Sequence, residues 1–150
     1  MIASEINTRV SLRRCPLSLG RTMNEEYYIS DEYQALGAEV LAKKRPELLE
    51  LGISVGFVSC TKKKTKGRTH IVFGECKKTQ DLYKVFCPYD FLIIIYDQNC
   101  AAFNDDQMWT LLWHELLHIE IPEKGKPYVR PHDVEEFDDI IQECGLRWDR

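Results

Sequence analysis

His114, Glu115 and His118 stand in the stretch Leu111-Leu112-Trp113-His114-Glu115-Leu116-Leu117-His118-Ile119, a His-Glu-x-x-His pattern inside an apolar run. On a helix, positions four apart share a face, so the two imidazoles can reach one metal ion. Glu115 lies about 100° round from His114, where its carboxylate can meet a water on that ion without ligating it. Two ligands and a general base are the chemistry of a zinc hydrolase. Catalytic zinc takes a third protein ligand and keeps one position open for water. The chain must therefore supply one more donor.

Metzincin spacing does not supply it, since Lys124 stands where that pattern would put its third histidine. Beyond the turn-rich Glu123-Lys-Gly-Lys-Pro127 comes Tyr128-Val-Arg-Pro-His-Asp-Val-Glu-Glu-Phe137, with His132, Glu135 and Glu136 as candidates. Asp133 with Glu136 three residues on makes a capping-box pattern, which leaves His132 just outside a final helix and able to turn toward the metal. His132 is the expected third ligand, and Glu135 or Glu136 is the alternative. Asp133 either caps the helix or orients a ligand histidine. Tyr128 and Arg130, close to His132 in sequence, are candidate oxyanion stabilisers.

The elements that must hold these residues can be read outward from the motif. Asn104 followed by Gln107 is a second capping-box pattern, and Phe103 and Met108 occupy hydrophobic-staple positions, so a helix is expected to start there. Met108, Leu112, Glu115 and Ile119 then share one sector, Leu111, His114 and His118 the next, and Trp109, Trp113, Leu116 and Leu117 fill much of the rest. A helix apolar almost all round is a buried one. Its two histidines and glutamate need partners, because an unpaired buried polar group costs about 1–3 kcal/mol. One divalent metal would satisfy all three. The competing reading has the histidines bonding other core groups and Glu115 pairing with a base. In the last helix, Val134, Phe137, Ile141 and Cys144 form a packed face that Gly145 ends.

Upstream, Ser30 is a helix cap, Asp31 and Glu32 suit a first turn, and Tyr33, Leu36, Val40 and Leu41 recur at helical spacing before Lys43, Lys44 and Arg45. Pro46 breaks that run and Gly52 closes a short second turn. This helix is expected to pack, without chemistry of its own. Residues 53–60 and 69–76 alternate as half-buried strands do, whereas Phe91 to Tyr96 is apolar on both faces, as a central strand is. Residues 61–68 carry five basic side chains around Gly67. That loop could touch nucleic-acid phosphates, but no aromatic is interleaved for stacking bases, which favours a solvated hairpin turn. His70, in a strand pattern well upstream of the motif, reads as structural.

A chain of 150 residues, 44% hydrophobic and 11% aromatic, can bury one sizeable core. A single domain over 23–150 is expected after a loose extension over 1–22, within which no helical or strand period is evident; Met23 is an alternative start. The formal charge of −4 and pI near 5.6 give no global attraction to nucleic acid or an anionic membrane. The longest strongly apolar run falls far short of the roughly 20 residues a bilayer span needs. Six cysteines without a C-x-x-C pair exclude a zinc ribbon and a thioredoxin-type site. With no secretory signal evident, mostly buried free thiols in a reducing cytoplasm are expected, a Cys60–Cys76 disulfide being the alternative.

From about Tyr33 onward the chain resembles the putative phage metallopeptidase family, found in phages and prophages. The likeness rests on Arg45-Pro-Glu-Leu, Gly67-Arg, Gly74-Glu-Cys-Lys-Lys, Tyr89-Asp-Phe-Leu-Ile-Ile-Ile, His114-Glu-Leu-Leu-His118 and Pro131-His-Asp-Val-Glu-Glu-Phe137. It implies a zincin-like domain holding one zinc ion through His114, His118 and His132, in a bacterial or phage-infected host cell. More distantly the chain is similar to SprT-like proteases, which combine His-Glu-Leu-x-His with a downstream histidine and act on protein crosslinked to DNA. It has no matching C-terminal zinc ribbon.

The expected architecture is α+β: a compact minimal zincin-like domain whose small, mostly antiparallel sheet packs against the buried motif helix and a C-terminal helix. The expected reaction is hydrolysis of peptide bonds in a protein or peptide substrate, with no membrane partner. The competing class is a non-catalytic, zinc-stabilised binding or regulatory protein of phage or prophage origin. Glu115 weighs against it, because a purely structural site has no use for a general base.

Overall fold

The computed structural model describes residues 26–132 and 137–149. In chain order the elements are β1 (Tyr27–Ile29), α1 (Asp31–Lys44), α2 (Pro46–Glu50), β2 (Val55–Cys60), β3 (Thr65–Lys66), β4 (His70–Ile71), β5 (Gly74–Lys78), a 3-10 turn (Tyr83–Val85), β6 (Phe91–Tyr96), α3 (Asp105–Leu117), β7 (Ile119–Glu120), β8 (Tyr128–Val129) and α4 (Asp138–Cys144). The expected α+β class holds.

Local chemistry accounts for the first layer. Ser30 Oγ accepts the Tyr33 N–H, Asp31 and Glu32 occupy the first turn of α1, and Lys43 and Lys44 the last, each charge complementing the helix dipole. Pro46 opens α2 where its missing N–H costs nothing. At Gly37 a Cβ would stand 2.4 Å from the Phe57 ring, so α1 can lie this close to β2 only with glycine there.

The main sheet has the order β1-β2-β6-β5. Its flanking pairs are antiparallel, as expected, but the central pair is parallel, with Val55 opposite Phe91 and Cys60 opposite Tyr96. The sheet is therefore mixed, because residues 61–90 cross over and bring β6 back in the direction of β2. β6 is covered on both faces, as its all-apolar sequence requires. Phe91, Ile93 and Ile95 enter the main core with α1 and α3, while Ile94 and Tyr96 join Cys60 in a smaller cluster under Val58 and Val72.

The strand expected over 69–76 is divided. Its first part pairs with β3 in a hairpin, and its continuation, β5, runs antiparallel to β6. The division falls at Val72 and Phe73: Val72 joins the smaller cluster, and Phe73 packs on Phe103 with ring centroids 4.6 Å apart. Asn99 Nδ2 fixes the hairpin by donating to Lys64 O at 2.7 Å and Val72 O at 2.6 Å. The basic loop thus folds as a hairpin, with Lys64 bonded to Glu75 at 2.6 Å and Lys62 to Glu26 at 3.1 Å.

The final helix also starts later than its sequence suggests. Phe137 is extended (φ −76°, ψ 140°) and α4 begins at Asp138, which puts Asp138 and Asp139 in the first turn where the dipole favours them. Phe137 and Ile140 are its buried side chains, and Cys144, assigned to the packed face, is exposed. The Asp133–Glu136 capping box lies outside the described residues, as does the 1–22 extension. The five described cysteines are free, so Cys60 and Cys76 are not bridged. No helix among the described residues is long and apolar enough to cross a membrane.

Candidate metal centre

The motif helix begins as its sequence requires. Asn104 Oδ1 accepts the Gln107 N–H at 2.8 Å, and Gln107 Oε1 accepts the Asn104 N–H at 2.9 Å. From Thr110 to Leu117 every residue is buried. α3 lies against β5 and β6, and its last turn delivers His114 and Glu115 into the interior. His118 follows one residue beyond the helix, as its C-cap.

The strands after the helix bring up the third imidazole. Chain reversal between β7 and β8 pairs Ile119 with Val129 and Glu120 with Tyr128. The backbone of Arg130 thereby meets His118 twice: Arg130 N donates to His118 O, and His118 Nδ1 lies 2.7 Å from Arg130 O. A carbonyl only accepts, so Nδ1 carries the proton and His118 Nε2 presents its lone pair. Two residues on, His132 Nε2 stands 3.0 Å from His114 Nε2 and 3.1 Å from His118 Nε2.

These three nitrogens could hold a metal ion. Ligands about 2.0–2.1 Å from a tetrahedral zinc stand roughly 3.3 Å apart; the two separations made by His132 Nε2 are close to that, and the three donor nitrogens all lie within 4.8 Å of one another. Burial pushes the His118 imidazole down to about 4; the bond to Arg130 opposes that shift, and the neighbouring His114 and His132 add to it. At neutral pH the ring is in the form that ligates a metal.

Glu115 completes the constellation, with Oε1 3.9 Å from His114 Nε2 and Oε2 4.0 Å from His118 Nε2. Its side chain is 4% exposed. It lies against β5 at Gly74, where a Cβ would stand 3.0 Å from Oε1 and 3.2 Å from Cγ. Glycine is what lets the strand pass so close to the carboxylate. On the same strand, burial and then the charge of Glu115 push the Cys76 thiol up, so it stays protonated.

Phe137 walls the cluster. Its ring is edge-on to His114, His118 and His132 at 5.1, 4.8 and 5.2 Å between centroids, and Arg130 Cζ lies 4.6 Å from its centre. The motifs gave no sign of this role, since Phe137 read as one more apolar position. Nor did they reveal Gly74, although both residues fall within the stretches that carry the family resemblance.

Of the other candidates, Arg130 Nε donates to Leu117 O at 2.8 Å, and Tyr128 sits half exposed in β8. Asp133, Glu135 and Glu136 lie outside the described residues. His70, exposed in β4, is not part of the cluster.

Comparison with known families bears on this site. The model of the putative phage metallopeptidase family matches residues 25–150. This chain belongs to that family. Membership in a metallopeptidase family implies a metal and a protein or peptide substrate, and the three-histidine cluster is where the described residues could hold the metal. No curated protein and no solved structure matches the chain, and the likeness to SprT-like proteases is not shown.

Proposed function

We propose that this phage metallopeptidase is a zinc-dependent peptidase that works with a single ion held by His114, His118 and His132, in the cytoplasm of a bacterial or phage-infected host cell. The observation that carries the proposal is the convergence of three imidazole nitrogens within 4.8 Å of one another beside a buried carboxylate. Three imidazoles suit zinc and leave a fourth position open. Zinc, when bound, polarises a carbonyl and makes a water acidic enough to lose its proton near neutral pH.

The chain's own residues do the rest. A Glu115 carboxylate oxygen accepts the proton of the attacking water and later delivers it to the nitrogen of the departing amine. Phe137 and the buried helix keep bulk water from that exchange, and the Nδ1–H bond of His118 to Arg130 O fixes which nitrogen faces the ion. Gly74 keeps β5 from displacing the carboxylate.

Metal analysis of the purified protein and peptide hydrolysis by wild type and Glu115→Gln test the proposal together. One zinc per chain is expected in both, with turnover about 10²- to 10⁴-fold lower in the variant. Full metal occupancy with equally absent turnover across a broad peptide library would support the zinc-stabilised binding protein instead. No metal uptake by either protein would remove the basis of both.

A further inference from the structure

Arg45 occupies the break between α1 and α2, with φ −137° and ψ 49°, its own N–H closing on Leu41 O at 2.9 Å. From there its side chain, 12% exposed, reaches the far end of the motif helix. Nη1 donates to Leu116 O at 2.6 Å, Nη2 to Ile119 O at 2.8 Å, and Nε to a Glu47 carboxylate oxygen.

A helix leaves its last carbonyls without intrahelical donors. Here the carbonyls of residues 115–119 are met in turn. His118 N donates to Glu115 O at 3.3 Å, Arg130 Nε to Leu117 O at 2.8 Å and Arg130 N to His118 O at 2.7 Å. Arg45 takes the two carbonyls that bracket the last pair. His118 lies within that bracket, at the point where helical hydrogen bonding ceases to fix the backbone.

We propose that Arg45 is a positioning residue for His118: by bridging Leu116 O and Ile119 O it holds the backbone on both sides of that imidazole and keeps its Nε2 beside those of His114 and His132. The inference rests on the metal-site reading above. A guanidinium suits the task, because its planar fork reaches two carbonyls at once while Nε meets the acid of Glu47. Its charge lies at the negative end of the α3 dipole, which offsets the cost of burying it. A lysine ammonium would keep the charge and lose the fork.

The test uses the full chain with Arg45→Lys and Arg45→Met. Zinc affinity is measured by competition with a chromophoric chelator, the visible spectrum is recorded with cobalt, and the metal-free protein is melted. Arg45→Lys is expected to keep the fold by circular dichroism, to bind zinc about 10-fold or more weakly, and to shift the cobalt ligand-field bands. A merely structural role would lower the melting temperature of the metal-free protein and leave zinc affinity and cobalt spectrum as in wild type; that result overturns the inference. If neither variant folds, Glu47→Gln decides, since it leaves the guanidinium but removes its acidic anchor. Weaker zinc binding with an altered cobalt spectrum supports the inference, and wild-type values for both overturn it. Wild type that takes up neither metal overturns the metal-site reading and this inference together, whereas metal-loaded wild type with an indifferent Arg45→Lys overturns this inference alone.

Discussion

The two ends of α3 are secured in opposite ways. At the N-terminal end, the two bonds of the cap itself are local, Asn104 and Gln107 exchanging them across three residues, with Gln107 Nε2 also donating to Trp148 O at 3.3 Å. At the C-terminal end, the donors are Arg45, separated from Leu116 by 71 positions, and Arg130, separated from Leu117 by 13. The first end can form as soon as the helix does. The second exists only when α1, α3 and β8 are all in place, and it is the end that carries the imidazoles. Chemistry that demands sub-ångström placement has been put where tertiary structure sets the geometry.

Substitutions can break this contrast. The largest effect is expected from His118→Ala or His114→Ala, which should abolish stoichiometric zinc uptake in a chain that still folds, as read by metal analysis beside circular dichroism. Next comes Phe137→Ala: emptying a fully buried aromatic site costs about 3–5 kcal/mol, measured by denaturant unfolding, and the three imidazoles lose their shared wall. Asn104→Ala sharpens the comparison from the other end. It should cost about 1 kcal/mol of stability and leave the zinc affinity of the folded protein unchanged; a lower affinity would mean that the two ends are coupled.

Glu75, whose carboxylate is bonded to Lys64 and Tyr96, is a control that takes part in neither end, with the smallest expected effect. Burial alone would raise its carboxyl, but hydrogen bonds from Lys64 and Tyr96 and the charges of Lys64 and Lys77 hold it below the ordinary 4.5. A depressed carboxylate stabilises the fold above that value and loses its contribution as pH falls through its folded-state pKa. The stability gap between wild type and Glu75→Gln should therefore be full at neutral pH and close on acidification below about 4.5, as followed by urea unfolding across pH. A gap that persists at low pH would place the effect in packing and not in charge.

How far the sequence could be read follows the same division. Asn104 and Gln107, Ser30, the all-apolar Phe91 to Tyr96 and the spacing of His114 and His118 announce themselves within a few residues of where they act, and each lies where its pattern places it. His132 could be nominated because the capping-box pattern at Asp133 and Glu136 leaves it just outside the last helix, and the chain brings it to the other two. Arg45 could not. Its neighbours mark it as a favourable charge ending α1, and nothing near it in sequence points to carbonyls on another helix. The division of residues 69–76 was hidden for a similar reason, since Ile71 and Phe73 set against His70 and Gly74 read as one strand, and only the separate packing of Val72 and Phe73 ends the pairing. The late start of α4 turns on Phe137, whose backbone is extended while its ring lies against the histidines.

Parallel pairing of β2 with β6 also orders events in time. Partners at its edge, such as Ser54 and Asp90, stand 36 residues apart, and closing so long a connection spends chain entropy before any contact repays it. α3 lies against β5 and β6, and His132 follows α3 in the chain. A polypeptide emerging from the ribosome therefore holds two of the three imidazoles while the strand that presents the third is still unmade. A metal centre built on these three imidazoles can be complete only once His132 has been added to the chain.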